Sequence, residues 1–126
     1  MLKSLLAPLL IVLAATPALA QSGTPMTGEE LAAITANGAT ITLCGDGMGY
    51  KGELVLTPDG KGEGGATMDS GDAISIAGTW AIKDGKFCRT WADLDGGKEV
   101  CETWVKTSET SAEVYNGDQM LGVNSW

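Results

Sequence analysis

From residue 39 onward, apolar and polar side chains alternate over several short segments. The alternation is strict in residues 39–43, looser in residues 53–57 and cleanest from residue 74, where one side carries Ile74, Ile76, Gly78, Trp80 and Ile82. Successive side chains of a β-strand point to opposite faces, so this period of two predicts strands that bury one face. Residues 86–105, a segment near 112–114 and the last seven residues complete the predicted strands.

Turn sequences separate these strands at short intervals. Pro58-Asp59-Gly60, Asp84-Gly85 and Asn116-Gly117 are each typical of tight turns between antiparallel strands. The spacing predicts an all-β protein, an antiparallel meander of seven to eight strands. A sheet of that size removes its exposed edges when it closes, so we expect a small barrel or strongly curled sheet. A two-sheet sandwich is the structural alternative.

One short helix is predicted before the first strand. Thr27 and Glu30 have the spacing of a capping box, in which each side chain bonds the other's backbone N–H. The helix is expected over residues 28–36, ending before Gly38. Its apolar side chains (Leu31, Ile34 and Ala33) would seal one end or edge of the sheet.

The first twenty residues have the pattern of a secretory signal peptide. Lys3 supplies the positive charge, residues 5–15 form a short apolar segment, and Ala18-Leu19-Ala20 matches the cleavage site. The apolar segment is shorter than the roughly 20 residues of a membrane span. We therefore predict a signal peptide (1–20), a flexible arm (21–26) and a single β-barrel-like domain (27–126), exported to the periplasm without a membrane anchor.

Charge and composition exclude several classes of partner and of catalytic site. The whole chain has a net charge of −8, and without Lys3 it has seven basic and sixteen acidic residues, a net charge of −9. Such a surface repels phosphate backbones, so nucleic acid is not an expected partner. The chain contains no histidine, which excludes Ser-His and Cys-His nucleophiles and histidine zinc sites.

The same four-residue pattern occurs twice, as Cys88-Arg89-Thr90-Trp91 and Cys101-Glu102-Thr103-Trp104. If paired residues have numbers that sum to 189, Cys88 lies opposite Cys101, close enough for a disulfide. A disulfide is stable after export. A metal or redox site is the alternative, although zinc needs four ligands and redox pairs more often have Cys-x-x-Cys spacing. Cys44 is left over, as a buried free thiol, a reactive thiol or the link in a disulfide-bonded dimer.

The same register predicts a cluster of aromatic and charged side chains. It places Phe87, Arg89 and Trp91 on one face with Glu102 and Trp104, and Arg89 diagonally near Glu102. With Trp80 on the neighbouring strand, they could line a pocket for a small planar or anionic ligand. More often such a group is an ordinary barrel interior, or an outer face with a surface ion pair that contributes little.

Three other motifs predict structure more readily than chemistry. Residues 47–52 match G-x-G-x-x-G, but a strand follows where a dinucleotide site needs a helix. Residues 69–72 and 93–96 resemble fragments of calcium loops without the closing glutamate. Asp93 and Asp95 could serve a hydrolase with paired acids. We expect loops at these positions, and neither a cofactor nor a metal.

The run Gly78-Thr79-Trp80, Asp84-Gly85-Lys86-Phe87-Cys88, Thr90-Trp91 and Cys101 resembles a group of small exported proteobacterial proteins. That group has a G-T-W…D-G-x-x-C…C pattern and no assigned activity. The resemblance covers about a quarter of the chain. It implies a lipocalin-like or barrel domain with a disulfide between Cys88 and Cys101.

Two functions are compatible with these features. The first is a non-enzymatic periplasmic β-domain that binds a small molecule or an envelope protein. The alternative is an acidic inhibitor or accessory subunit of an envelope enzyme, as lysozyme inhibitors are. The sequence names neither the ligand nor the partner.

Overall fold

The computed structural model describes residues 23–44 and 49–126. Their elements are α1 (Gly28–Thr35), β1 (Ala39–Cys44), β2 (Tyr50–Thr57), β3 (Lys61–Met68), β4 (Ala73–Lys83), β5 (Lys86–Trp91), β6 (Glu99–Ser108), β7 (Ser111–Asn116) and β8 (Gln119–Ser125). Each strand pairs antiparallel with the next, and β8 pairs with β1 to close a barrel. The predicted meander and its closure are confirmed, and the sandwich alternative is wrong. The predicted signal peptide lies outside the described residues.

Tight turns connect the strands where the sequence predicted them. Asp84 and Gly85 both have positive φ, 51° and 77°, between β4 and β5. This combination characterises the two-residue hairpin turn that matches the twist of the flanking strands. Gly60 and Gly117 also have positive φ, 89° and 63°, in their turns. Glycine adopts this conformation without the strain that a Cβ atom would introduce.

The barrel has two distinct ends. The turns after β2, β4 and β6 lie at one of them, which we call the helix end because α1 packs there. An ideal Cβ at Gly28 would lie 3.5 Å from the Cα of Gly85. The opposite end, which we call the far end, carries the turn between β3 and β4, the turn between β7 and β8, and the β5–β6 connection with its 3-10 turn (Asp95–Gly97).

The helix closes its end of the barrel with two buried side chains. Thr27 and Glu30 form both bonds of the predicted capping box, at 3.1 and 2.9 Å. Leu31 is fully buried, and Ile34 packs against the core while partly exposed. Thr35 is also buried, with its hydroxyl donating to the Leu31 carbonyl at 3.0 Å. The helix ends one residue earlier than predicted, and Ala33, expected on the apolar side, is exposed.

The described part of the N-terminal arm pairs with the barrel wall. Pro25 forms a bridge to Val105 of β6, and the Met26 N–H donates to the Trp104 carbonyl at 2.7 Å. The Met26 side chain is buried. These contacts fix the point at which the chain crosses the helix end. Within the described residues, no helix is both long and apolar enough to cross a bilayer.

A row of aromatic rings fills the helix half of the interior. Trp80 stacks on Phe87 at a centroid distance of 5.8 Å, Phe87 meets Trp104 at 5.2 Å, and Trp104 meets Trp126 at 6.0 Å. Offset and tilted ring pairs at such distances are favourable beyond the area that they bury. The Trp80 indole N–H also donates to the carbonyls of Thr57 and Lys61, at 3.2 and 3.0 Å. The row and the helix together close this end.

Two glycines leave space for the Trp91 ring inside the barrel. Gly62 of β3 pairs directly with Gly78 of β4. A Cβ atom at Gly62 would lie 2.9 Å from the Trp91 ring, and one at Gly78 would lie 3.0 Å from it. The indole therefore lies across both backbones, and a larger residue at Gly62 would displace it. At Gly78 a Cβ atom would meet the Thr90 carbonyl oxygen first, at 1.9 Å.

Candidate functional site

A cavity of about 250 Å³ lies between the aromatic row and the far end. Most of its wall is aliphatic, and these side chains come from four of the strands and from the β5–β6 connection: Leu43, Leu54, Ile74, Ile76, Leu94 and Leu121. Phe87, Trp91, Ala66, Met68 and Val114 complete the apolar lining. Four polar side chains interrupt it, namely Tyr50, Arg89, Glu102 and Asn124. An apolar cavity with a few inward polar groups is the usual form of a small-molecule site.

Arg89 and Glu102 form an ion pair in this wall. In the β5–β6 register Phe87 pairs with Glu102 and Arg89 with Val100, so Arg89 and Glu102 lie diagonally on the inner face. The Arg89 Nε donates to Glu102 Oε2 at 2.8 Å. The two residues are only 8% and 7% exposed. The predicted diagonal contact is confirmed, and it lies inside the barrel.

Each member of this pair has a second partner. Arg89 Nη1 donates to Asp95 Oδ2 at 2.5 Å, which ties the exposed β5–β6 connection to the barrel wall. The Trp104 indole N–H donates to the other Glu102 oxygen, Oε1, at 3.1 Å. Both carboxylate oxygens of Glu102 are therefore bonded. A buried charge is tolerated when it is paired and hydrogen-bonded in this way.

Burial shifts the protonation equilibria of the network. It raises the pKa of Glu102 because the charged form loses water, although the charge and hydrogen bond of Arg89 act in the opposite direction. For Arg89, burial disfavours the charge, but the carboxylates of Glu102 and Asp95 outweigh it and raise its pKa. The guanidinium is thus held in its charged form by two acids.

Tyr50, the first residue of β2, lines the cavity at the far end of the barrel. Its hydroxyl donates to the Leu121 carbonyl at 2.7 Å. An ideal Cβ at Gly122 would lie 2.1 Å from that hydroxyl oxygen, so only glycine leaves room for it. Burial, and then the negative charge of Glu102, raise the pKa of Tyr50. The phenol is therefore neutral and has lone pairs available to accept from a ligand.

Asn124 faces the cavity from β8. It pairs with Leu43 and Ala112, and these residues occupy inward positions on β1 and β7. Asn124 is 7% exposed. No side-chain hydrogen bond joins Asn124 to residues 23–44 or 49–126. Its amide atoms keep accessible surface, because every fully buried side-chain N or O atom of these residues has a partner. The amide therefore offers an unused donor and an unused acceptor at the cavity surface.

The structure brings together most of the predicted pocket residues. Phe87, Arg89, Trp91 and Glu102 line the cavity. Trp80 and Trp104 do not line it; they contact Phe87 from either side in the aromatic row, and of these three rings only Phe87 reaches the cavity. The sequence did not identify Tyr50, Asn124, Leu94 or the partnership of Asp95 with Arg89. The available signal for Asn124 was the alternation at the end of β8, where Gly122 and Asn124 are buried and Val123 and Ser125 are less so.

Cys88 and Cys101 occupy outward positions of β5 and β6, although Cys88 is buried. Cys88 and Cys101 are paired in the β5–β6 register and form a disulfide, as predicted. Glu99 lies within 4.8 Å of both sulfurs. Because the sulfurs are bonded to each other, they are not thiolate ligands, and Glu99 instead pairs with Lys83 at 2.6 Å. Cys44 is a free thiol that is half-buried rather than buried.

The remaining motifs occupy loops and strands. Asp93 is exposed on the β5–β6 connection, and its neighbour Asp95 is the ion-pair partner of Arg89. Tyr50 begins β2, so a strand rather than a helix follows Gly49 of the G-x-G-x-x-G match, whose residues 47 and 48 lie outside the described part of the chain.

Comparisons of this chain with family models, curated proteins and solved structures gave no match.

Proposed function

We propose that this protein is a small-molecule-binding barrel whose ligand occupies the cavity at the far end. The observation that carries the proposal is the cavity itself, an apolar space of about 250 Å³ with four inward polar groups. The ligand would contact aliphatic and aromatic side chains over most of its surface. The polar groups would fix its orientation.

The size of the cavity indicates a compact ligand. An engineered apolar cavity of about 150 Å³ binds benzene, whereas drug-sized ligands occupy roughly 300–1,000 Å³. The present cavity lies between these values. A substituted single ring or a short branched chain therefore fits, and a fused multi-ring compound or a long lipid tail does not.

The charged groups support binding rather than proton transfer. The chain has no histidine. Arg89 and Glu102 are bonded to each other, and their further donor and acceptor atoms hold Asp95 and Trp104. Groups that neutralise one another in this way position a ligand without supplying a free general base.

Filling the cavity tests the proposal. Toluene is expected to shift the methyl NMR signals of Leu43, Leu54 and Leu121 in the protein expressed from the complete chain. Ala66→Phe should weaken toluene binding more than about tenfold, because the added ring occupies the same space. Ala77→Phe is the matched control, since Ala77 is exposed on the outer face of β4, and it should bind as the wild type does.

Two results would contradict this function. One is the absence of toluene-induced shifts in the lining residues at saturating concentration. The other is equal binding by the Ala66→Phe and Ala77→Phe variants, which would place toluene elsewhere on the protein.

We further propose that the barrel works in the periplasm after removal of residues 1–20. The support is the signal-peptide pattern and the cysteine pair, which forms a disulfide of the kind common in exported proteins. The protein recovered from the periplasm of a bacterial host should begin at Gln21, as measured by intact mass. Ala18→Arg should block cleavage and leave the longer chain, and recovery of an uncut wild-type chain would oppose the proposal.

A further inference from the structure

The geometry points to a specific ligand class for the cavity, an uncharged molecule that carries a carboxamide or a comparable donor–acceptor pair on a small apolar body. This inference rests on the proposed function. Asn124 is the residue that we infer recognises the polar group. Arg89, Glu102 and Asp95 set the charge that the cavity accepts.

Asn124 carries the first step. The residue is more than nine-tenths buried and lines the cavity, and its amide bonds no other described residue. A ligand that offers both a donor and an acceptor can bond the carbonyl and the NH₂ of this amide together. A carboxamide group has this pairing.

The charge balance argues against an anion. Arg89 is the only cation among the described residues of the lining, and it is already bonded to Glu102 and Asp95. Within the lining, the charges of Arg89 and Glu102 cancel, and Asp95 lies outside it with its side chain 44% exposed. An anionic ligand would gain contact with the guanidinium but would also face the Glu102 carboxylate in a poorly solvated space, where repulsion is strong. The sequence pattern around Arg89 had suggested a site for an anionic ligand. Because the guanidinium is already paired, we infer instead that the cavity does not favour an anion.

The same network argues against a cation. Both oxygens of Glu102 accept hydrogen bonds, one from Arg89 and the other from Trp104. A cation in the cavity would have to displace one of these donors or remain without a direct partner. Either outcome costs more than the ligand gains, since an unpaired charge in an apolar space is strongly disfavoured. An uncharged ligand avoids both penalties.

Three planar probes of nearly equal shape separate these cases. Benzoate, benzamide and benzamidinium differ chiefly in charge, and toluene provides the apolar body without the polar group. We expect benzamide to bind the wild type at least about tenfold more tightly than either charged probe. NMR titration of the protein expressed from the complete chain measures all four affinities. Benzoate or benzamidinium binding as tightly as benzamide would overturn the inference.

Asn124 variants test the residue directly. Asn124→Leu has a similar size without the amide, and we expect it to weaken benzamide about tenfold while toluene binds as well as before. Asn124→Asp should shift the preference towards benzamidinium. Benzamide affinity unchanged in Asn124→Leu would refute the role of Asn124 even if toluene occupies the cavity. Failure of toluene to bind the wild type would instead remove the proposed function, and this inference with it.

Discussion

Arg89→Met is expected to lower the free energy of unfolding by about 3–5 kcal/mol. The substitution removes the partner of Glu102 and leaves a carboxylate that is 7% exposed in an apolar wall. An uncompensated buried charge accounts for most of that loss, because methionine fills much of the same volume. Urea unfolding followed by tryptophan fluorescence near neutral pH measures the change.

The loss should depend on pH in a defined direction. Burial already raises the pKa of Glu102 above its ordinary value of 4.5, and Arg89 holds it down. Without Arg89 the folded-state pKa rises further, so the folded variant keeps a proton that the unfolded chain releases. Stability contributed by such a group is present below the unfolded pKa and is lost as pH rises through the folded pKa. The difference between variant and wild type should therefore be small near pH 4 and large near pH 7.

A double variant separates charge from packing. Glu102→Gln keeps an oxygen that accepts from the Trp104 indole and removes the negative charge. Arg89→Met combined with Glu102→Gln should recover most of the stability and lose most of the pH dependence. Two results would contradict the buried ion pair. One is an Arg89→Met variant as stable as the wild type, and the other is a loss of stability that does not change with pH.

The parts of the fold that the sequence predicted are those determined by local rules. The capping box formed because Thr27 and Glu30 are neighbours on the same turn. The β5–β6 register followed from the repeated cysteine pattern, since one paired position sets every other one along an antiparallel ladder. The closed barrel followed from the number of strands and their short turns.

The strand β3 shows where such rules stop. It has glycine at Gly62, Gly64 and Gly65, and glycine in a strand interior has neither a side chain to pack nor a favourable conformational entropy. The physical reason for Gly62 is the Trp91 ring, which comes from β5 and lies across it. A contact between segments so far apart in sequence leaves no periodic signal in β3 itself.

The site was predicted only in part for a similar reason. Arg89 and Glu102 are in adjacent strands, so the hairpin register was enough to bring them together. Tyr50 and Asn124 reach the cavity only because β8 closes against β1. Asp95 reaches Arg89 through a turn whose path the sequence does not specify. The inward position of Asn124 on β8 indicates a cavity residue only once the barrel is known to be closed.

Replacing both Cys88 and Cys101 with alanine is expected to lower the free energy of unfolding by about 3 kcal/mol. The disulfide joins residues 13 positions apart in the sequence, across the β5–β6 hairpin. Its main effect is on the unfolded chain, which loses conformational freedom when the loop is closed. Urea unfolding of the wild type should show the same loss when a thiol reductant is added, and the double variant should not respond to the reductant.

Cys44 provides the control, because it is a half-buried free thiol on β1 that belongs to no disulfide among the described residues. Cys44→Ala should retain both the wild-type stability and its sensitivity to reductant. The same hairpin carries Arg89 and Glu102 on its inner face, directly behind the bond, so loss of the disulfide should also lower the affinity of the cavity for toluene. A double variant as stable as the wild type would mean that strand pairing alone holds the hairpin. A Cys44→Ala variant that no longer responds to reductant would place the effective thiol at Cys44 instead.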